Sequence, residues 1–256
     1  MTLVLLAAVG ASLLMPFDPF GQSAAHRLDP PDLAHVMGRD TFGRDVFARV
    51  LLGARTSLTI SLASVALGGA LGTLLGLSAG YLRGWRETLL MRVVDVVMSF
   101  PSLLLGLLVV AVLGEGVPKL VLALGLVLAP SFARVVHAAT LGLHGQEFVV
   151  AARSMGASSL RIVSRHVLPS IAGEMVVLSG VLVATALRIE AGLSFIGLGV
   201  SPPTPAWGNM IREGAPLLLS APWVSVWPGL ALALSVLAFN LVGDGVRDGL
   251  DHPRRG

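Results

Sequence analysis

The sequence predicts an all-α, polytopic membrane protein with about six transmembrane helices. Three observations carry that expectation. Hydrophobic residues make up 54% of the chain and charged ones only 13%, against roughly 25% charged in soluble domains. Mean hydropathy is +0.82. The apolar residues are gathered into runs close to the roughly 20 residues that cross a bilayer as a helix. Cysteine is absent, which excludes disulfides and thiolate metal sites.

Residues 1–17 carry no charge and form a short first span. No Lys or Arg precedes that run, so it lacks the positive n-region of a secretory signal and is expected to remain as a helix. Residues 56–82 are uncharged and make a second span; 96–114 make a third. Residues 120–140 make a fourth, interrupted only by Arg134. A fifth runs from about 170 to 197 and contains Glu174, Arg188 and Glu190. Residues 214–243 hold a sixth, expected to start near Trp223. The organisation expected is therefore a first helix at 1–17, an extracytoplasmic segment at 18–55 and a membrane domain over 56–256.

Positive charge orients the spans. Both termini placed inside put ten Arg on the cytoplasmic side against seven basic residues outside, the sense of the positive-inside rule. The net charge of +3 thus reflects loops; no aromatic-interleaved basic patch points to nucleic acid.

Within 18–55, the stretch from Arg44 to Arg55 has helical spacing: Val46 with Val50, Phe47 with Leu51, and Asp45 placed to pair with Arg49. It reads as an interfacial lead-in to the second span. That span carries a small-residue ladder, Ser64, Gly68, Gly72, Gly76 and Gly80, on one helix face, where another helix can approach closely.

The loop GQEFVVAARSMGASSLRIVSRHVLPS at 145–170 is the most informative stretch. Glu147 to Met155 suits a short helix, and Gly156 sits where a left-handed C-cap needs glycine. Ser158 or Ser159 can cap a second helix with Leu160, Val163 and Val167 as its apolar stripe. Pro169 fits the first turn of the fifth span. Such a helix–turn–helix excursion either docks a soluble partner or lies on anionic lipid.

AARSMG, with RHVLP nine residues beyond Gly156, resembles the EAA loop of ABC importer permeases. Ala151, Ala152, Gly156, Leu168 and Pro169 match that pattern, while position 150, where the family places Glu, is Val. Four further stretches, at 37–58, 80–105, 191–214 and 243–255, resemble the second permease of dipeptide, oligopeptide and nickel importers, in the order expected of it. The resemblance implies a permease without chemistry of its own that works by alternating access. It implies a related permease as heterodimer partner, two ATP-binding subunits and an extracytoplasmic solute-binding protein. It also implies that Glu147, Ala151, Ala152, Arg153, Gly156, Leu168 and Pro169 couple to the ATPase. No GxxxxGK[ST] loop occurs, so ATP and its Mg are expected on the partner chains.

Other residues stand as candidates beside blander readings. Arg188 and Glu190 are expected to line the path or gate it, or else to form an interfacial ion pair. Trp207 and Asn209, in a Pro-rich outer loop, are candidate contacts for the binding protein, or else parts of a rigid connector. Arg92 and Asp95 read as structural. His137, His144 and His166 lack ligand spacing, so no metal site is expected. Two rival classes fit less well. A membrane-embedded hydrolase needs a nucleophile–base pair at matching depth, and a lone ion-coupled transporter needs mid-membrane carboxylates.

Overall fold

A computed structural model describes residues 17–82, 84–143 and 146–251. Most of the expected first span, Arg83, His144, Gly145 and the tail from His252 lie outside them. The described residues contain no strand, only one isolated bridge between Arg39 and Asp45. Among the described residues four helices are long and apolar enough to cross a membrane, and one bent helix pair reaches that length and apolarity only when its two halves are taken together.

The helices are α1 (Val46–Leu82), α2 (Trp85–Met98), α3 (Ser102–Leu113), α4 (Val117–Leu143), α5 (Glu147–Ser154), α6 (Ser159–Ile162), α7 (Leu168–Ile196), α8 (Trp207–Gly214) and α9 (Trp223–Asp251). One end of the bundle, here the capped end, carries residues 17–45 and 197–222. The other, the hairpin end, carries α5 and α6.

Two expected elements differ. The interfacial lead-in is instead the first turns of α1, continuous with the second span, and its Val46, Ala48, Arg49 and Val50 are buried. Val46 and Val50 pack with Met210 of α8, and Trp223 and Trp227 of α9 pack against them, so protein rather than lipid covers this stretch. The third span is broken: α2 and α3 meet at 95°. Pro101 causes this, because it disfavours helical backbone at the residue before it and cannot donate to the ladder. α9 begins at Trp223, as expected.

α1 and α4 run parallel in close contact. A Cβ on Gly76 would stand 2.6 Å from the Ala133 carbonyl oxygen and 2.8 Å from Val136 Cβ; one on Gly72 would stand 2.5 Å from Phe132 Cβ. The advance of four residues on each helix per contact keeps the register. Packing at this range replaces the hydrophobic drive that lipid does not supply. α7 and α9 then close around Leu58, Val65, Leu128, Phe132 and Leu187.

Gly76→Val should therefore destabilise the purified protein in detergent by about 1–3 kcal/mol, from overpacking. Gly142→Ala, where a Cβ would meet nothing within 4 Å, should be silent. Equal heat-inactivation midpoints for the two variants would contradict the ladder's role.

Candidate functional site

The hairpin end is built on the α5 C-terminus. Gly156 takes φ +79, the left-handed conformation that glycine adopts without Cβ strain. The Ala157 N–H donates to the Ala152 carbonyl at 3.1 Å, closing a Schellman turn. The chain then enters α6, and the Ile162 N–H donates to the Ser158 carbonyl. The expected second helix begins at Ser159 but does not stand apart from the fifth span. α6 passes through a π-helical turn, Val163–Val167, straight into α7. Pro169 accounts for this: it lacks an N–H and its ring crowds the carbonyl four residues back, and the wider π turn relieves both.

Val149 and Ala152 face inward, against Leu77, Val136, Ile162, Val167 and Ile171. The remaining face of α5 is open. Glu147 and Ala151 are exposed there, beside three large apolar side chains, Phe148, Val150 and Met155, the last 81% exposed. A groove of about 390 Å³ lined by Phe148, Arg165, His166, Pro169 and Ser170 adjoins it. Leu168 is also exposed, where α7 begins. Thus Ala151 and Ala152 do not act alike: Ala152 holds the hairpin to the bundle, and Ala151 belongs to the open face. The Arg153 side chain lies outside the description. Phe148 and Val150 flank the inward Val149 on either side, and Met155 lies just beyond the α5 C-terminus, in the turn before Gly156.

Polar pairs brace this end from α2. Arg134 pairs with Asp95, and His137 Nε2 lies 2.8 Å from Glu87 Oε1. Of the two residues read as structural, Asp95 takes its cation from α4 and Arg92 is exposed. The Tyr81 hydroxyl donates to Ser159 Oγ, tying the end of α1 to α6.

The capped end holds a buried ion cluster. Arg44 Nε lies 2.6 Å and Arg49 Nε 3.3 Å from Asp40 Oδ2; both guanidinium groups also face Glu213 of α8, at 3.2 and 3.8 Å. Arg49 is therefore not paired with Asp45. Asp45 accepts the Ala48 N–H at the α1 N-terminus and binds His35 Nδ1 at 2.6 Å. Arg39 donates to His35 Nε2, so the proton of this neutral imidazole sits on Nδ1 and points at Asp45. Nearby, the His35 backbone N–H holds the Asp32 carboxyl below its usual range.

Trp207 and Asn209 are each 1% exposed. Trp207 Nε1 donates to the Val50 carbonyl, and its backbone N–H to Ser57 Oγ. Asn209 accepts the Ala206 N–H and donates to the carbonyls of Val200 and Thr204. Neither side chain offers surface to a binding protein in this conformation; Trp207 ties α8 to α1 and Asn209 secures the 198–206 loop. Arg188 and Glu190 do not pair. Glu190 is fully buried, with Oε1 accepting from Ser194 at 2.7 Å and Oε2 without a partner. Arg188 is exposed and donates to Thr185 Oγ1. Among the described residues no group of three or more His, Asp or Glu is placed to hold a metal ion.

These features define a helical membrane protein with an exposed apolar hairpin at one end and a buried ion cluster at the other. Residues 72–255 match the family described as binding-protein-dependent transport system inner membrane component. The chain is 45% identical over 255 residues to the glutathione transport system permease protein GsiD of Escherichia coli, covering 99% of this chain and 84% of the relative. It is 43% identical over 250 residues to GsiD of Pectobacterium atrosepticum, covering 97% and 83%. A chain of the MetNI methionine ABC transporter in inward-facing conformations shares the fold, with a TM-score of 0.64 at 20% identity over 78% of this chain and 95% of that one. The chain belongs to this family: it is a multi-pass inner-membrane permease of a peptide-type ABC importer, a transport subunit rather than an enzyme. Permeases of this kind work with ATPase subunits and a binding protein.

The ion cluster carries a prediction. Arg49→Met leaves Asp40 and Glu213 facing Arg44 alone, and breaking a buried pair in this way costs about 3–5 kcal/mol. Asp40→Asn combined with Arg49→Met restores charge balance. A double-mutant cycle on thermal midpoints should show a coupling of roughly 0.5–3 kcal/mol; strict additivity would mean that the cluster does not act as a unit.

Proposed function

We propose that this chain and a second, related permease together wall the path of an importer for peptides or similar small solutes. A solute-binding protein delivers the solute at the capped end, and two ATPase subunits dock at the hairpin end. ATP and Mg are held by those subunits. The observation that carries the reading is the α5–α7 connection. The open face of α5, with Phe148, Val150 and Met155, fits a groove on a soluble partner. Beyond the Gly156 turn, the helix continues without a break from Ser159 through Ile196. A displacement of α5 by the closing ATPases therefore tilts α7 as a rigid lever instead of being absorbed by a loop. Peptides are favoured as the solute because the curated relatives are named for glutathione, itself a tripeptide.

Gly156→Val forces a β-branched residue into the left-handed region, at a strain on the order of 1–3 kcal/mol, and misdirects α6. Together with Arg153→Glu, it should abolish transport and weaken co-purification of the ATPase subunits. Membrane levels should stay near normal, as they should for the Gly142→Ala control. Normal transport and normal ATPase retention in Gly156→Val would remove the hairpin from the coupling path.

With both termini in the cytoplasm, the hairpin faces inward. The chain has no cysteine, so single introduced thiols report sidedness directly. Ser158→Cys should react with an impermeant thiol reagent only once the inner face is opened, and Ser201→Cys should react from outside. The opposite labelling would invert the topology.

A further inference from the structure

α7 carries three ionisable residues, and the structure separates them. Glu190 turns into the bundle, while Glu174 and Arg188 are exposed. Neither exposed group has an ionic partner among the described residues. The one hydrogen bond of Arg188 goes to Thr185 Oγ1, one turn back on its own helix, and leaves most of the guanidinium fork free. Glu174, Val181, Thr185, Arg188 and Phe195 recur three, four or seven residues apart and so form a single stripe along α7. Val181 and Phe195 on this stripe are exposed along with the two charges; Val176, on another side of α7, is exposed as well but carries no charge.

A stripe that faced hydrocarbon would not hold an unpaired cation and an unpaired anion. Ionisable groups inside a membrane face a water-filled cavity or a protein partner. Glu190, the nearest carboxylate in sequence, could have neutralised Arg188, but it is committed to Ser194 on the inward side. A free guanidinium fork in a low-dielectric wall is matched by a carboxylate, which it binds in a bidentate way. We infer that the open stripe of α7 lines the translocation path and that Arg188 receives the carboxylate of the solute near the capped end, with Thr185 orienting the guanidinium. Arg188 is eight residues from the α7 C-terminus, about 12 Å along the axis, where a solute arriving from the capped end first meets the span. The assignment rests on the reading of the solute as a peptide.

The test uses the complete importer in proteoliposomes, supplied with its binding protein under saturating peptide. Initial import rates are compared for a tripeptide with a free C-terminus and for its C-terminal amide. In the parent transporter the free acid should move faster. Arg188→Gln should lower the free-acid-to-amide rate ratio about tenfold, the scale of one lost charge-assisted hydrogen bond, and Arg188→Lys should retain much of it. An unchanged ratio in Arg188→Gln, with both peptides still imported, would overturn the Arg188 assignment and leave the peptide reading intact. That result is also the one expected if the guanidinium binds a lipid phosphate or a carboxylate of the second permease. Import of neither peptide by the parent transporter would overturn the peptide reading, and the assignment with it. In addition, Arg188→Cys should react with an anionic aqueous thiol reagent, and the free-acid tripeptide should slow that reaction. A thiol that is inert in the assembled importer would show that position 188 does not face the path.

Discussion

The close, parallel contact of α1 with α4 is the constraint on which the remaining structure depends. Lipid offers apolar side chains no advantage over one another, so helices there associate through near approach of their backbones. Glycine at positions 68, 72, 76 and 80 brings α1 against the carbonyls and Cβ atoms of α4. Once those two axes are set, α4 carries Arg134 and His137 to Asp95 and Glu87, and so anchors the bent α2–α3 segment that links the pair. The same register positions the opposite end of α1 to meet α8 and α9, where the ion cluster forms.

The two ends of the bundle are built from different physics, in keeping with different roles. The capped end is rigid because its charges are enclosed and mutually compensated: Asp40, Arg44, Arg49 and Glu213 satisfy one another, and the buried Trp207 and Asn209 bond to backbone carbonyls and amides. The hairpin end leaves large apolar side chains on a short helix uncovered and fixes their direction with one left-handed glycine. The π turn before Pro169 joins α6, the helix that follows the Gly156 turn, to α7 without a break.

The sequence by itself determined the features that local spacing encodes. Runs of apolar residues located the four long spans, period-four glycines foretold the α1 contact face, and Trp223 marked the start of the last helix. Gly156 was legible as a left-handed cap because few other residues tolerate that backbone. Only the tertiary structure decided which partners the polar residues take. Asp45 and Arg49 stand at helical spacing, yet Asp45 binds His35 and Arg49 binds Asp40 and Glu213, because segments far apart in the chain converge at the capped end. Arg188 and Glu190 are two residues apart, about 200° around a helix, so the side that α8 and α1 cover determines which of them is buried. Trp207 and Asn209 looked like surface candidates in a Pro-rich loop until the loop folded over them. Local signals follow from the geometry of one helix, whereas burial and ion pairing depend on which elements meet, and no short stretch of sequence contains that information.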